Sequence, residues 1–161
     1  VFKNATYWTS SGQWEWAINP NGREKASFLK ENLLPMQEAG QLKLIDKEQE
    51  LFPGFKVKFY NGHTQGQVIP HINYNGKTLV YMGDLLPSTG HVPMPYIMSY
   101  DTKPLVTLDE KKAFFKEALE NGYVLFLEHD KDNECCTLKE TPKGPRVDKT
   151  FTLEEFKASV A

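Results

Sequence analysis

Phe55-Lys56-Val57-Lys58-Phe59-Tyr60-Asn61-Gly62-His63-Thr64-Gln65-Gly66-Gln67 is an alternating strand running out into a Gly-His-Thr turn. Alternation of apolar and polar residues over Phe55–Tyr60 predicts a half-buried strand. The same construction recurs twice downstream. Val68–Tyr74 and Lys77–Met82 flank Asn75-Gly76, the strongest short hairpin signal, and the second of them runs into Gly83-Asp84. Tyr123–Glu128 is a continuous apolar strand that runs into His129. Three strands therefore each deliver one polar side chain at their ends: His63, Asp84 and His129. If the strands share a sheet with compatible directions, the three meet at one edge, where ligands of α/β proteins assemble. Two imidazoles and a carboxylate suit zinc, iron or manganese. Gly62 and Gly83 beside them permit close backbone approach.

Working outward, residues 1–9 read as a strand with Phe2, Tyr7 and Trp8, and residues 11–17 as a short helical turn carrying Trp14 and Trp16. Asn21-Gly22-Arg23-Glu24 has the form of a capping box. Ala26, Phe28, Leu29, Leu33 and Leu34 follow at helical spacing, with Pro35 weakening and Gly40 stopping that helix. Leu42–Ile45 is a short strand. Residues 84–106 form a long loop rich in Pro, Gly and aromatics, a length that points to function. Thr107-Leu108-Asp109-Glu110 is a second capping box, opening a helix to Asn121 with Gly122 as its stop. Cys135–Glu140 and 146–149 predict a hairpin, and Thr152-Leu153-Glu154-Glu155 a final helix. Strands and helices mix with antiparallel hairpins, which is α/β or α+β, in one domain over 1–161.

The 161 residues suit a single core. Net charge is −2, which argues against a dedicated nucleic-acid binder. No apolar run is long enough to span a bilayer. Cys135 and Cys136 are adjacent and have no third partner, so they read as free thiols of a reducing compartment, giving a cytoplasmic expectation. The chain opens on Val1 without a signal-peptide pattern, which reads as a fragment or a processed product.

Gly62-His63-Thr64 with the following Gly66, then a strand ending in Gly83-Asp84, then a strand ending in His129, resembles the second half of the metallo-β-lactamase superfamily. The stretch Asp84-Leu85-Leu86-Pro87-Ser88-Thr89-Gly90-His91-Val92-Pro93 and the segment Glu128-His129-Asp130 look like its branch of metal-dependent hydrolases. The family's earlier His-x-His-x-Asp-His cluster is absent. All four histidines are His63, His71, His91 and His129, and 62 residues precede the first of them. The resemblance thus implies the C-terminal half of a four-layer αββα sandwich.

It also implies roles. His63 completes one metal site with two absent histidines, and Asp84 bridges both metals as the catalytic carboxylate. His129 binds the second metal. Two zinc ions, with iron or manganese as alternatives, would hold a hydroxide that attacks an ester, lactone, amide or phosphoester. The isolated chain would be inactive. Thr64 and Glu128 adjoin the ligands and are candidates to brace them. His91 and Tyr100 in the long loop are candidate substrate contacts. His71, mid-strand, reads as a satisfied structural histidine, and Trp8, Trp14 and Trp16 as packing residues. Expected partners are a small-molecule substrate and either the other half of the domain or a second copy of the chain, the latter making a homo-oligomer. The other half's absence would leave an exposed apolar face. A non-catalytic binding or oligomerisation module derived from the same fold is the alternative.

Overall fold

The computed structural model describes residues 2–161; the part of the expected first strand that falls on Val1 lies outside them. That strand is shorter than its composition suggests: β1 is Tyr7–Ser10. Ser10 caps α1, Ser11–Ile18, its hydroxyl accepting the Gln13 N–H. The helix expected from Asn21 onward does not form there. Asn21 accepts the Arg23 and Glu24 N–H groups, but Glu24 turns away to accept the Trp16 indole and the Asn21 side-chain amide. Without the reciprocal bond of a capping box the segment stays in turns, and α2 begins only at Lys30, running to Glu38 with Pro35 inside it. β2 is Leu42–Ile45 and pairs parallel with β1 as a separate two-stranded sheet.

The remaining strands form one seven-stranded sheet in sequence order. β3, Gln49–Phe52, pairs antiparallel with β4, Phe55–Tyr60. β3 carried no clear sequence signal. β5, Gln67–Tyr74, and β6, Lys77–Tyr81, form the Asn75-Gly76 hairpin, with φ of 48° and 82° at the turn. Two consecutive left-handed residues match the twist of the flanking strands. The chain then crosses over through the long loop, with one short 3-10 turn at Thr89–His91, and through α3, Pro104–Asn121. It returns as β7, Val124–Phe126, parallel to β6. β8, Cys135–Lys139, β9, Arg146–Phe151, and α4, Leu153–Ser159, complete the chain. α4 has the full capping box, Thr152 and Glu155 bonding reciprocally.

α3 starts three residues before the expected Thr107 cap, with Pro104 in its first turn where the missing N–H costs nothing. It covers one face of the sheet. Phe114, Phe115 and Ala118 pack on Ile69, Val80, Leu125 and Cys136. α4 covers the other, where Phe156 meets Val124 and Cys135. Successive strand residues point to opposite faces, so the adjacent cysteines sit in two different cores. Both are free and buried, and burial pushes their thiols up to about 11 and about 12. Among the described residues no helix is long and apolar enough to cross a membrane.

Candidate metal centre

β4, β6 and β7 end on the same side of the sheet, and their trailing residues converge. The His63 Nε2 lies 3.5 Å from Asp84 Oδ2, and the His129 Nε2 lies 3.3 Å from Asp84 Oδ1. One carboxylate therefore stands between two imidazoles, one oxygen facing each. Two ligands held about 2.0–2.2 Å from one tetrahedral ion are themselves roughly 3.4 Å apart. The donor types and spacing thus fit a divalent ion on each side of Asp84, with two donors per side. Among the described residues no group of three or more His, Cys, Asp or Glu side chains is arranged to hold an ion by itself. That follows from the geometry, because the three side chains divide into two incomplete pairs.

Each donor is held by neighbours. The His63 Nδ1–H donates to Asp101 Oδ1 at 2.9 Å, which leaves the Nε2 lone pair facing Asp84. The Asp101 side chain is only 1% exposed. Burial alone would lower the His63 pKa; the Asp101 bond and the Asp84 charge outweigh it, and the pKa ends above its ordinary value. Gly83, at φ +46°, turns the chain so that Asp84 leaves β6 toward the two histidines. The His129 N–H donates to the Pro87 carbonyl at 3.1 Å. Asp130 accepts the Thr89 N–H and hydroxyl at 2.8 and 2.6 Å and the Asn133 amide at 3.1 Å. Burial works against that carboxylate, but these bonds win and hold it down to about 2. The loop after Asp84 and the loop after His129 are thereby tied together.

The three side chains line an open cleft of about 980 Å³ with Trp8, Phe28, Met98 and Tyr100. His91 and Tyr100 both line it, and Tyr100 is 74% exposed. The His91 Nδ1 pairs with the Ser88 hydroxyl at 2.8 Å. Burial and the Lys111 charge lower its pKa. Trp14 is buried as a packing residue, and Trp8 packs edge-on against Phe52 and also lines the cleft. Thr64 donates to the Gln13 side chain at 2.9 Å, tying the Gly-His-Thr turn to α1. Burial and the Glu128 carboxylate push the Tyr81 hydroxyl pKa up to about 12. His71 is buried away from the cleft. Its Nδ1–H donates to the Ile69 carbonyl at 3.2 Å, but its Nε2 has no partner, so it is only half satisfied. Sequence reading missed Asp101. Its partner lies 38 positions away and no local pattern marks it.

No family model and no curated protein matches the chain. Solved structures do. One, solved as a probable metal-dependent hydrolase from Staphylococcus aureus, superposes with a TM-score of 0.83 and 27% identity, covering 96% of this chain and 54% of that one. AidC, a dizinc quorum-quenching lactonase in complex with a product, gives 0.76 and 24% over 94% of this chain and 57% of that one. The hydrolase AbOPH of the beta lactamase superfamily gives 0.77 and 19% over 92% and 56%. The chain thus has the fold of the metallo-β-lactamase hydrolases that it is similar to, and it spans about half the length of those that it matches.

Proposed function

We propose that this chain is part of a zinc-dependent hydrolase domain, to which it contributes His63, Asp84 and His129. Imidazoles paired with a single carboxylate suit zinc, iron and manganese alike, and similarity to a dizinc lactonase supports zinc. The observation that carries the reading is the Asp84 carboxylate set between two imidazole Nε2 atoms at 3.5 and 3.3 Å, at the wall of the cleft. Two donors on each side of Asp84 leave each ion short, and residues outside this chain complete both sets. Divalent metal bound there supplies Lewis-acid polarisation of the scissile group and an activated water.

The chain's own residues do the rest. Asp101 fixes the His63 tautomer so that Nε2 is the free nitrogen. Asp84 faces both halves of the centre and is the catalytic carboxylate. His91, kept neutral by burial, and Tyr100 contact the substrate, a small uncharged ester, lactone, amide or phosphoester suited to the apolar wall of Trp8, Phe28 and Met98. Similarity to lactonases and to AbOPH supports this range of substrates without choosing among them.

The test uses the domain completed with its remaining donors, purified with zinc and assayed against a panel of lactones, esters and phosphotriesters. Turnover of one panel class, cut at least a hundredfold by His63→Ala or Asp84→Asn with zinc content reduced, is the expected result. A completed domain that binds no zinc and hydrolyses nothing sinks the reading in favour of a binding module.

A further inference from the structure

We propose that Glu110 is a positioning residue for His63: its carboxylate, reaching out from α3, holds the two peptide N–H groups that precede the histidine. The inference rests on the reading of His63 as a metal donor, and deepens it. Glu110 Oε1 accepts the Asn61 N–H at 2.6 Å and Oε2 accepts the Gly62 N–H at 3.0 Å. The opposite edge of the same turn is held by residues just before α3. The Lys103 N–H donates to the Gly62 carbonyl at 2.9 Å. The Thr102 N–H and hydroxyl donate to the His63 carbonyl at 3.1 and 2.8 Å. One segment, 101–110, therefore grips the His63 peptide on both edges and, through Asp101, its ring.

The turn has no slack against this grip. A Cβ on Gly62 would lie 2.2 Å from the Thr107 hydroxyl and 2.4 Å from its backbone nitrogen. The turn is thus pressed onto the first turns of α3, and the carboxylate sets where along the helix it sits. A carboxylate accepting two adjacent N–H groups is a charge-assisted pair, stronger than two neutral bonds. Glu110 does not line the cleft, so it acts through His63 and not on substrate. Its side chain spans 49 positions to Asn61. A Thr-x-x-Glu pattern would have spent it locally as a helix cap. α3 opens three residues earlier, which frees Glu110 for the turn.

Glu110→Gln keeps the shape but sets an amide N–H against a backbone N–H. In the metal-free chain, the ring nitrogen spectrum of His63 is expected to change from one tautomer, protonated at Nδ1, to a mixture. Affinity for zinc alone, read by chelator competition, is expected to fall about tenfold or more, the usual scale for losing an outer support of a ligand. Glu117→Gln is the control. It breaks the Lys58 and Tyr123 contacts elsewhere on α3 and is expected to cost stability while leaving the His63 spectrum and zinc affinity intact. Glu110→Asp serves if the Gln variant does not fold. An unchanged His63 spectrum and unchanged zinc affinity in Glu110→Gln overturn the proposal, as does an equal response in Glu117→Gln. A domain completed with its remaining donors that takes up no zinc, while Glu110→Gln still changes the His63 spectrum, overturns the metal reading and leaves the positioning intact.

Discussion

Asp101 and His63 form the tightest side-chain contact of the centre, at 2.9 Å, and two opposing effects meet there. Burial disfavours a charged imidazole, whereas the Asp101 bond and the Asp84 charge favour it and win. A histidine whose folded pKa is raised adds stability below its unfolded value of about 6.5, and that stability is lost as pH rises through the folded value. The metal-free protein should therefore lose unfolding free energy as pH is raised from about 6.5, and Asp101→Ala should flatten that slope, because burial of His63 is then opposed only by the Asp84 and Glu24 charges. Urea midpoints at several pH values measure this; a slope unchanged in the variant argues against it. The same substitution should lower zinc affinity about 10–100-fold, since the tautomer is no longer set. His71 behaves oppositely. Burial and the Lys58 charge lower its pKa, and its Nε2 is buried without a partner. Between its folded value and about 6.5 the unfolded chain binds the proton and the fold does not, so stability falls on acidification there. His71→Phe should remove that acid limb while keeping ring contacts with Phe114 and Tyr123.

At the scale of elements, what could be read in advance depended on whether a signal was local. Leu42–Ile45, Phe55–Tyr60, the Asn75-Gly76 hairpin and the Gly122 stop of α3 were all legible, because alternation, a two-residue turn and a left-handed glycine are decided by neighbours in the chain. The helix expected from Asn21 was not there, and α3 began before its expected cap, for one shared reason. In both places the Glu that would have closed a capping box bonds to something else: Glu24 to Trp16, and Glu110 to the His63 turn. Of the centre itself, His63, Asp84 and His129 were legible as strand-end residues, whereas Asp101 and the role of Glu110 depend on tertiary contacts across the crossover. Gly62 shows why the element boundary matters. Gly62→Ala would drive a methyl group into the Thr107 backbone, so either the turn or α3 must move. Overpacking of that kind costs about 1–3 kcal/mol. We expect a lower Tm and weaker zinc binding together, and a variant with wild-type values of both would mean that the turn and helix are less tightly pressed than their spacing indicates.

Over the whole molecule, the proposed metal donors divide between the two sides of Asp84. Asp84 offers one oxygen to each histidine, and two donors per side are too few to hold zinc in a closed tetrahedral set. The matched hydrolases are nearly twice as long as this chain, which covers 54–57% of the three compared above. Apolar surface is also exposed near the cleft. Trp8 on β1 packs edge-on against Phe52 on β3, which packs against Phe55 on β4, and Trp8, Leu44 and Phe52 remain 37%, 44% and 53% exposed. The Trp8–Phe52 contact joins the two-stranded sheet to the seven-stranded one. These two features lead to one expectation. The 161-residue chain alone should bind zinc weakly and show no turnover on lactone or phosphoester substrates. Supplying the remaining donors on the same polypeptide should bring tight zinc binding, hydrolysis and protection of Trp8 from solvent together. Dialysis against graded chelator, a substrate panel and the Trp8 fluorescence shift follow the three quantities, with Trp8→Phe assigning the signal among the three tryptophans. Turnover by the 161-residue chain alone would mean that His63, Asp84 and His129 suffice, and the two-donor argument would fail. Tight zinc binding without burial of Trp8 would separate the metal centre from the apolar row and leave that row to another partner.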